Sequence, residues 1–191
     1  MQTYSNGPRL SVPPVMAALV RYWHRGECWV AMAAFSFIAL IVIYDVAARE
    51  VLGPLLRLLG GNANTVMVVG AAKMGVYALI VGAFAGIGIA TATGAQLVPK
   101  AAFGWVPRAW GPSMDRLADA LTAVFLLGVT YYGAVFVNGS RLSGLLTSGG
   151  LEIPAWVIQA VIPLGFASAA VRYVLFAIWP AIRPLPPEFQ E

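Results

Sequence analysis

The stretch ECWVAMAAFSFIALIVIYDVAARE, residues 27–50, decides the fold. Between Glu27 and Asp45 it carries no charged residue. A helix needs about 20 residues at 1.5 Å each to cross the roughly 30 Å hydrocarbon layer. This run comes close to that length, and helix is the form that satisfies its own backbone in lipid. Three further apolar runs follow: 63–93, interrupted once by Lys73; 120–138, between Asp119 and Arg141; and 153–171, continuing past Arg172 to 179. The expected fold is an all-α integral membrane protein with four transmembrane helices over about 28–48, 63–93, 116–138 and 154–179. A tail and interfacial helix over 1–27 precede this domain of 28–180, and a Pro-rich tail over 181–191 follows it.

The composition agrees. Apolar residues make up 60% of the 191-residue chain and charged residues 10%, with a mean hydropathy of +0.79. A soluble domain carries about 25% charged residues. An ordinary soluble enzyme, a disordered tail and a nucleic-acid module are thereby excluded. The net charge of +4 is spread between apolar runs rather than gathered in a patch that would bind nucleic acid. A single cysteine, Cys28, rules out an internal disulfide and a thiolate cluster, and a single histidine, His24, rules out a bis-histidine haem site. No cofactor or metal is expected.

Punctuation marks the helix ends. Pro13 and Pro14 open a short helix, Asn62, Asn64 and Thr65 are candidate caps, Gly111-Pro112-Ser113 precedes the third span, and Pro154 suits the first turn of the fourth. Pro180, Pro184, Pro186 and Pro187 stop the last helix. The first span reads as a retained anchor, because a cleaved leader of this extent would be about twice the usual length.

Lys and Arg set the orientation. Arg9, Arg21, Arg25, Lys100, Arg108, Arg116, Arg172 and Arg183 fall on one side, and Arg49, Arg57 and Arg141 on the other. Both termini are therefore expected in the cytoplasm. Residues 14–25 read as an interfacial amphipathic helix, with Arg21, His24 and Arg25 on one face toward lipid headgroups and Val15, Leu19, Tyr22 and Trp23 on the other. The plainer reading is a basic start to the first span. Lys100, Trp105, Arg108 and Trp110 place the loop 98–112 along the cytoplasmic surface.

Several residues are candidates for subunit contact or structure. Asp45 and Arg49 stand four apart and face each other on a helix, as an ion pair ending the span or as a docking contact. Lys73 is expected about two and a half turns into the second span, where a cation is costly and either snorkels outward or meets an acid of another chain. Ala71, Gly75, Ala78, Gly82, Gly86 and Ala90 form a small-residue stripe, with Gly82 and Gly86 as a GxxxG pair for close helix approach. Pro163 frees the carbonyl of Gln159 and predicts a kink. No acid falls at mid-membrane, so the ionisable pathway of a pump or ion-coupled carrier is missing from the chain itself. No catalytic set is found either.

Three motifs resemble those of a known family. They are Asp45-Val46-Ala47-Ala48-Arg49 leading to Gly53; the glycine-alanine run of 86–97 ending Thr93-Gly94-Ala95-Gln96-Leu97; and Ile153-Pro154-Ala155-Trp156 followed by Ile162-Pro163-Leu164-Gly165. In this order and spacing the chain resembles the small (DctQ-type) membrane subunit of TRAP transporters, the tripartite ATP-independent periplasmic transporters. Gln96 stands where many relatives carry His, and Lys73 lies near where many carry an acid. The resemblance implies a non-enzymatic accessory subunit in the bacterial inner membrane. Its partners would be membrane lipid, a large subunit of about a dozen spans that holds the substrate and ion sites, and, transiently, a periplasmic binding protein that delivers an organic anion such as a carboxylate. The small subunit would brace the scaffold of the large one. Two other classes compete: a self-sufficient homo-oligomeric small transporter or channel, motivated by the GxxxG stripe and Lys73, and a haem- or quinone-anchoring subunit, which a lone His24 outside the spans disfavours.

Overall fold

A computed structural model describes residues 13–95, 110–147 and 152–184. Four helices are long and apolar enough to cross a membrane, and no strand is formed among the described residues. Helix α1 spans Pro14–Ala47 and passes through a π-helical turn, Ala48–Leu52, into α2, Gly53–Leu58. Pro54 has no N–H to offer the carbonyl of Glu50, and the Gly53 N–H reaches back to Ala48 O instead, so the turn widens. A Cβ on Gly53 would lie 3.1 Å from that same oxygen, so glycine relieves crowding in the wide turn.

A 3-10 turn, Ala63–Thr65, is capped by the Asn62 side chain, which accepts from the Asn64 N–H at 3.0 Å. Helix α3 then runs Ala71–Thr93 and ends on left-handed Gly94, whose φ is 70°. Helix α4 runs Gly111–Leu142. Two backbone bonds, Thr147 N–H to Ile153 O and Ala155 N–H to Leu145 O, both 2.9 Å, staple its exit to the next helix. Short α5, Ala155–Gln159, turns at Ala160 into α6, Val161–Ile178, and a 3-10 turn, Pro180–Ile182, follows.

The extensive contacts run α1 to α3, α3 to α6 and α6 to α4. The spans thus form a row with α1 and α4 at its edges. Small residues make the seams. A Cβ on Gly82 would touch Phe35 at 3.2 Å and Ala34 at 3.5 Å, and one on Gly75 would reach Ile41 at 3.8 Å. Gly165 abuts the backbone of Phe84, while Phe84 and Phe166 meet edge to face at 5.7 Å. Gly133 lies under Pro163. Among the described residues nine apolar side chains are buried, eight of them alanine and one Phe176, whereas Leu40, Phe125 and Leu164 stay exposed. That inversion suits lipid, where large apolar side chains gain nothing by hiding and close backbone approach drives association.

Three expectations are corrected. Residues 14–25 are not a separate in-plane helix, because α1 passes through Gly26 unbroken; they are its first turns, as in the plainer reading. The second span begins at Ala71 rather than at 63, since 66–70 is not helical and Gly70 takes a φ of 83°. Lys73 therefore sits half-buried in the first turn of α3, not deep in the span. Finally, Gly86 has nothing within 4 Å of a built Cβ, so within the chain α3 packs on α1 through Gly75 and Gly82, two turns apart, rather than through Gly82 and Gly86.

Candidate functional site

Glu27 and Arg172 lie inside the row of helices, and they meet. Trp23 and Glu27 share one face of α1 at i, i+4; Ser168 and Arg172 do the same on α6. Because α1 and α6 run in opposite directions, both pairs come to the same end of the molecule, beside the last turns of α3. Arg172 is 4% exposed and forms a forked pair with Glu27: Nη2 to Oε2 is 2.5 Å and Nη1 to Oε1 is 3.1 Å. Nη1 also donates to the backbone carbonyl of Gly88 at 2.6 Å and to Ser168 Oγ at 3.2 Å. The Ser168 hydroxyl in turn donates to Glu27 Oε1. The Trp23 indole N–H is shared between Glu27 Oε1 at 3.0 Å and Ser168 Oγ at 3.1 Å.

The arrangement joins α1, α3 and α6 through one carboxylate and one guanidinium, with Trp23, Ser168 and the Gly88 carbonyl adding hydrogen bonds. A buried ion pair is tolerable only when its geometry is good and its other polar groups are satisfied, which is the case here. Gly88 is the small residue that admits it. A Cβ there would come within 2.7 Å of Glu27 Cδ and 2.9 Å of Arg172 Nη1.

A second ionic contact lies at the same end. Arg183, just past the final 3-10 turn, meets Asp119 Oδ1 at 3.3 Å and Asp115 Oδ1 at 3.8 Å on the first turns of α4. Asp119 is 3% exposed. With Glu27 and Arg172 binding three spans and Arg183 and Asp119 binding the fourth, all four are tied at one end by charge.

At the opposite end Asp45 and Arg49 form the expected i, i+4 pair at 3.1 Å, with the Arg49 side chain 59% exposed. The Tyr44 hydroxyl donates to Val66 O at 3.0 Å and pins the loop to α1. Near Pro163 the helix is interrupted at Ala160, between α5 and α6, where Gln159 O has no N–H of residue 163 to receive. The chain thus brings Arg172 into a cluster, keeps Asp45 and Arg49 together, and leaves Lys73, Gly82 and Pro163 at separate places. Gln96, Lys100, Trp105 and Arg108 lie outside the described residues.

Sequence reasoning missed Trp23, Glu27, Gly88, Ser168, Asp119 and Arg183. A signal was available: Glu27 and Arg172 stand at similar depth from the same end of antiparallel spans, each with a hydrogen-bonding residue four positions before it. Among the described residues there is no group of three or more His, Cys, Asp or Glu placed to hold a metal.

Fold and site define a multi-pass helical membrane protein whose inward-facing charges bind its helices to one another. The family model for tripartite ATP-independent periplasmic transporters, DctQ component, matches residues 38–182. The chain belongs to this family, that of a transporter component. No curated protein and no solved structure matches it.

Proposed function

We propose that the chain is the small accessory subunit of a TRAP transporter, bracing the stationary scaffold of the large membrane subunit during cation-coupled uptake of an organic anion such as a carboxylate. The observation that carries this reading is what the inward-facing charges do. Glu27 on α1 and Arg172 on α6 are matched to each other, Asp119 on α4 is matched to Arg183 beyond α6, and so they stiffen the row. A scaffold needs rigid helices and broad apolar faces; a carrier needs charges that meet solute in turn. The open row supports the same reading, because α1 and α4 each keep a flank free of the other spans. In this reading both termini and the two ionic clusters face the cytoplasm of a bacterial inner membrane, and Asp45 and Arg49 face the periplasm.

Reconstitution tests it. Liposomes holding this chain with its large subunit and binding protein should take up the substrate under a cation gradient, and liposomes holding the chain alone should show no flux. Flux through the chain alone would refute the accessory role and favour the small-transporter reading.

A further inference from the structure

We infer that a groove between α4 and the α5–α6 pair binds a single phospholipid, its phosphate on Arg141 and one acyl chain along the groove. The groove holds about 380 Å3 and is walled by Ala134, Ala160, Pro163 and Leu164, with Asn138, Arg141 and Trp156 at one end. Thr130, Ala134, Val137, Asn138 and Arg141 recur on α4 at helical spacing, so they are one stripe. Trp156, Ala160, Pro163 and Ala167 are the facing stripe. From Thr130 to Arg141 the stripe covers about 16 Å at 1.5 Å per residue. That is close to half of the roughly 30 Å hydrocarbon layer, the depth of one leaflet.

The polar end supplies the charge complementarity. Arg141 lies in the last turn of α4, where a span meets the headgroups. Its guanidinium lies over the Trp156 ring, 5.7 Å from the centroid, a cation–π contact that holds it at the mouth of the groove. Among the described residues it has no ion pair, and the Asn138 carboxamide has no hydrogen bond to protein. A guanidinium carries five N–H donors and matches a phosphate with two parallel bonds. A cation at headgroup depth, above an apolar slot one leaflet long, has the form of a phospholipid seat.

The test is native mass spectrometry of the full-length chain, delipidated in detergent and then given phosphatidylglycerol or a diacylglycerol with the same chains. The wild type should retain one phosphatidylglycerol at least tenfold more tightly than the diacylglycerol. Arg141→Gln should lose that preference while still folding, as read by circular dichroism. Ala134→Phe, which fills the slot, should lose both lipids. Equal retention of phosphatidylglycerol by the wild type and both variants would overturn the proposal. So would a photo-crosslinker at position 134 that captures a protein segment rather than lipid in intact membranes.

Discussion

Arg172→Leu should be among the most damaging single substitutions in the described helices, and Glu27→Leu/Arg172→Leu should be markedly less so. Arg172 is 4% exposed, and the Glu27 side chain is 13% exposed. With the guanidinium removed, Glu27 keeps Ser168 and Trp23 as donors but loses its counter-charge, and Gly88 O loses its side-chain donor. Breaking one partner of a buried pair costs about 3–5 kcal/mol, whereas replacing both by apolar residues is often neutral. At roughly 2–4 °C per kcal/mol for a chain of this size, the single variant should melt roughly 6–20 °C lower. The double variant should recover most of that loss. The assay is thermal unfolding in one detergent, followed by helical circular dichroism, for the wild type, both single variants and the double. Single variants that melt within about 2 °C of wild type, or losses that simply add in the double, would refute the claim that the two charges are a coupled latch.

Gly88→Ala should destabilise by about 1–3 kcal/mol, because the new methyl meets Glu27 and Arg172; Gly86→Ala, facing open space, should stay within about 0.5 kcal/mol. The melting curves of the two variants separate these outcomes. Arg183→Gln should cost less than Arg172→Leu, since Arg183 is 31% exposed, but it should loosen α4 and raise hydrogen exchange over its first turns. Asp45→Asn or Arg49→Gln should shift stability by no more than about 1 kcal/mol, as for an exposed pair. A large loss of uptake at unchanged melting temperature in these variants would then locate a docking contact there, and a parallel loss of both would argue against one.

The four spans were legible because a charge-free run of membrane length leaves the backbone little choice. What failed was depth. Val66, Met67, Val68 and Val69 are as apolar as any span residue, so hydropathy merged this loop with α3 and carried Lys73 too far into the membrane. Only Gly70 marked the true start, and a lone glycine before an apolar run is a weak sign. The seam glycines were half legible: the stripe on α3 was evident, but whether Gly75 or Gly86 pairs with Gly82 depends on where α1 lies. The charge latch was hidden for a similar reason. Glu27 reads as a span boundary and Arg172 as an interruption until the helices are set side by side. The Asp45 and Arg49 pair needed only one helix, and it was read correctly in outline.

The central claim is that this chain works as an accessory subunit, and the most direct test is to see what it holds. The tagged chain would be drawn from its native membrane in mild detergent and its companions identified by mass spectrometry. The account predicts a large multi-span membrane protein in stable, stoichiometric association, with a periplasmic binding protein more loosely attached. Recovery of the 20.2 kDa chain alone or as a homo-oligomer, with the candidate large subunit co-expressed, would contradict it.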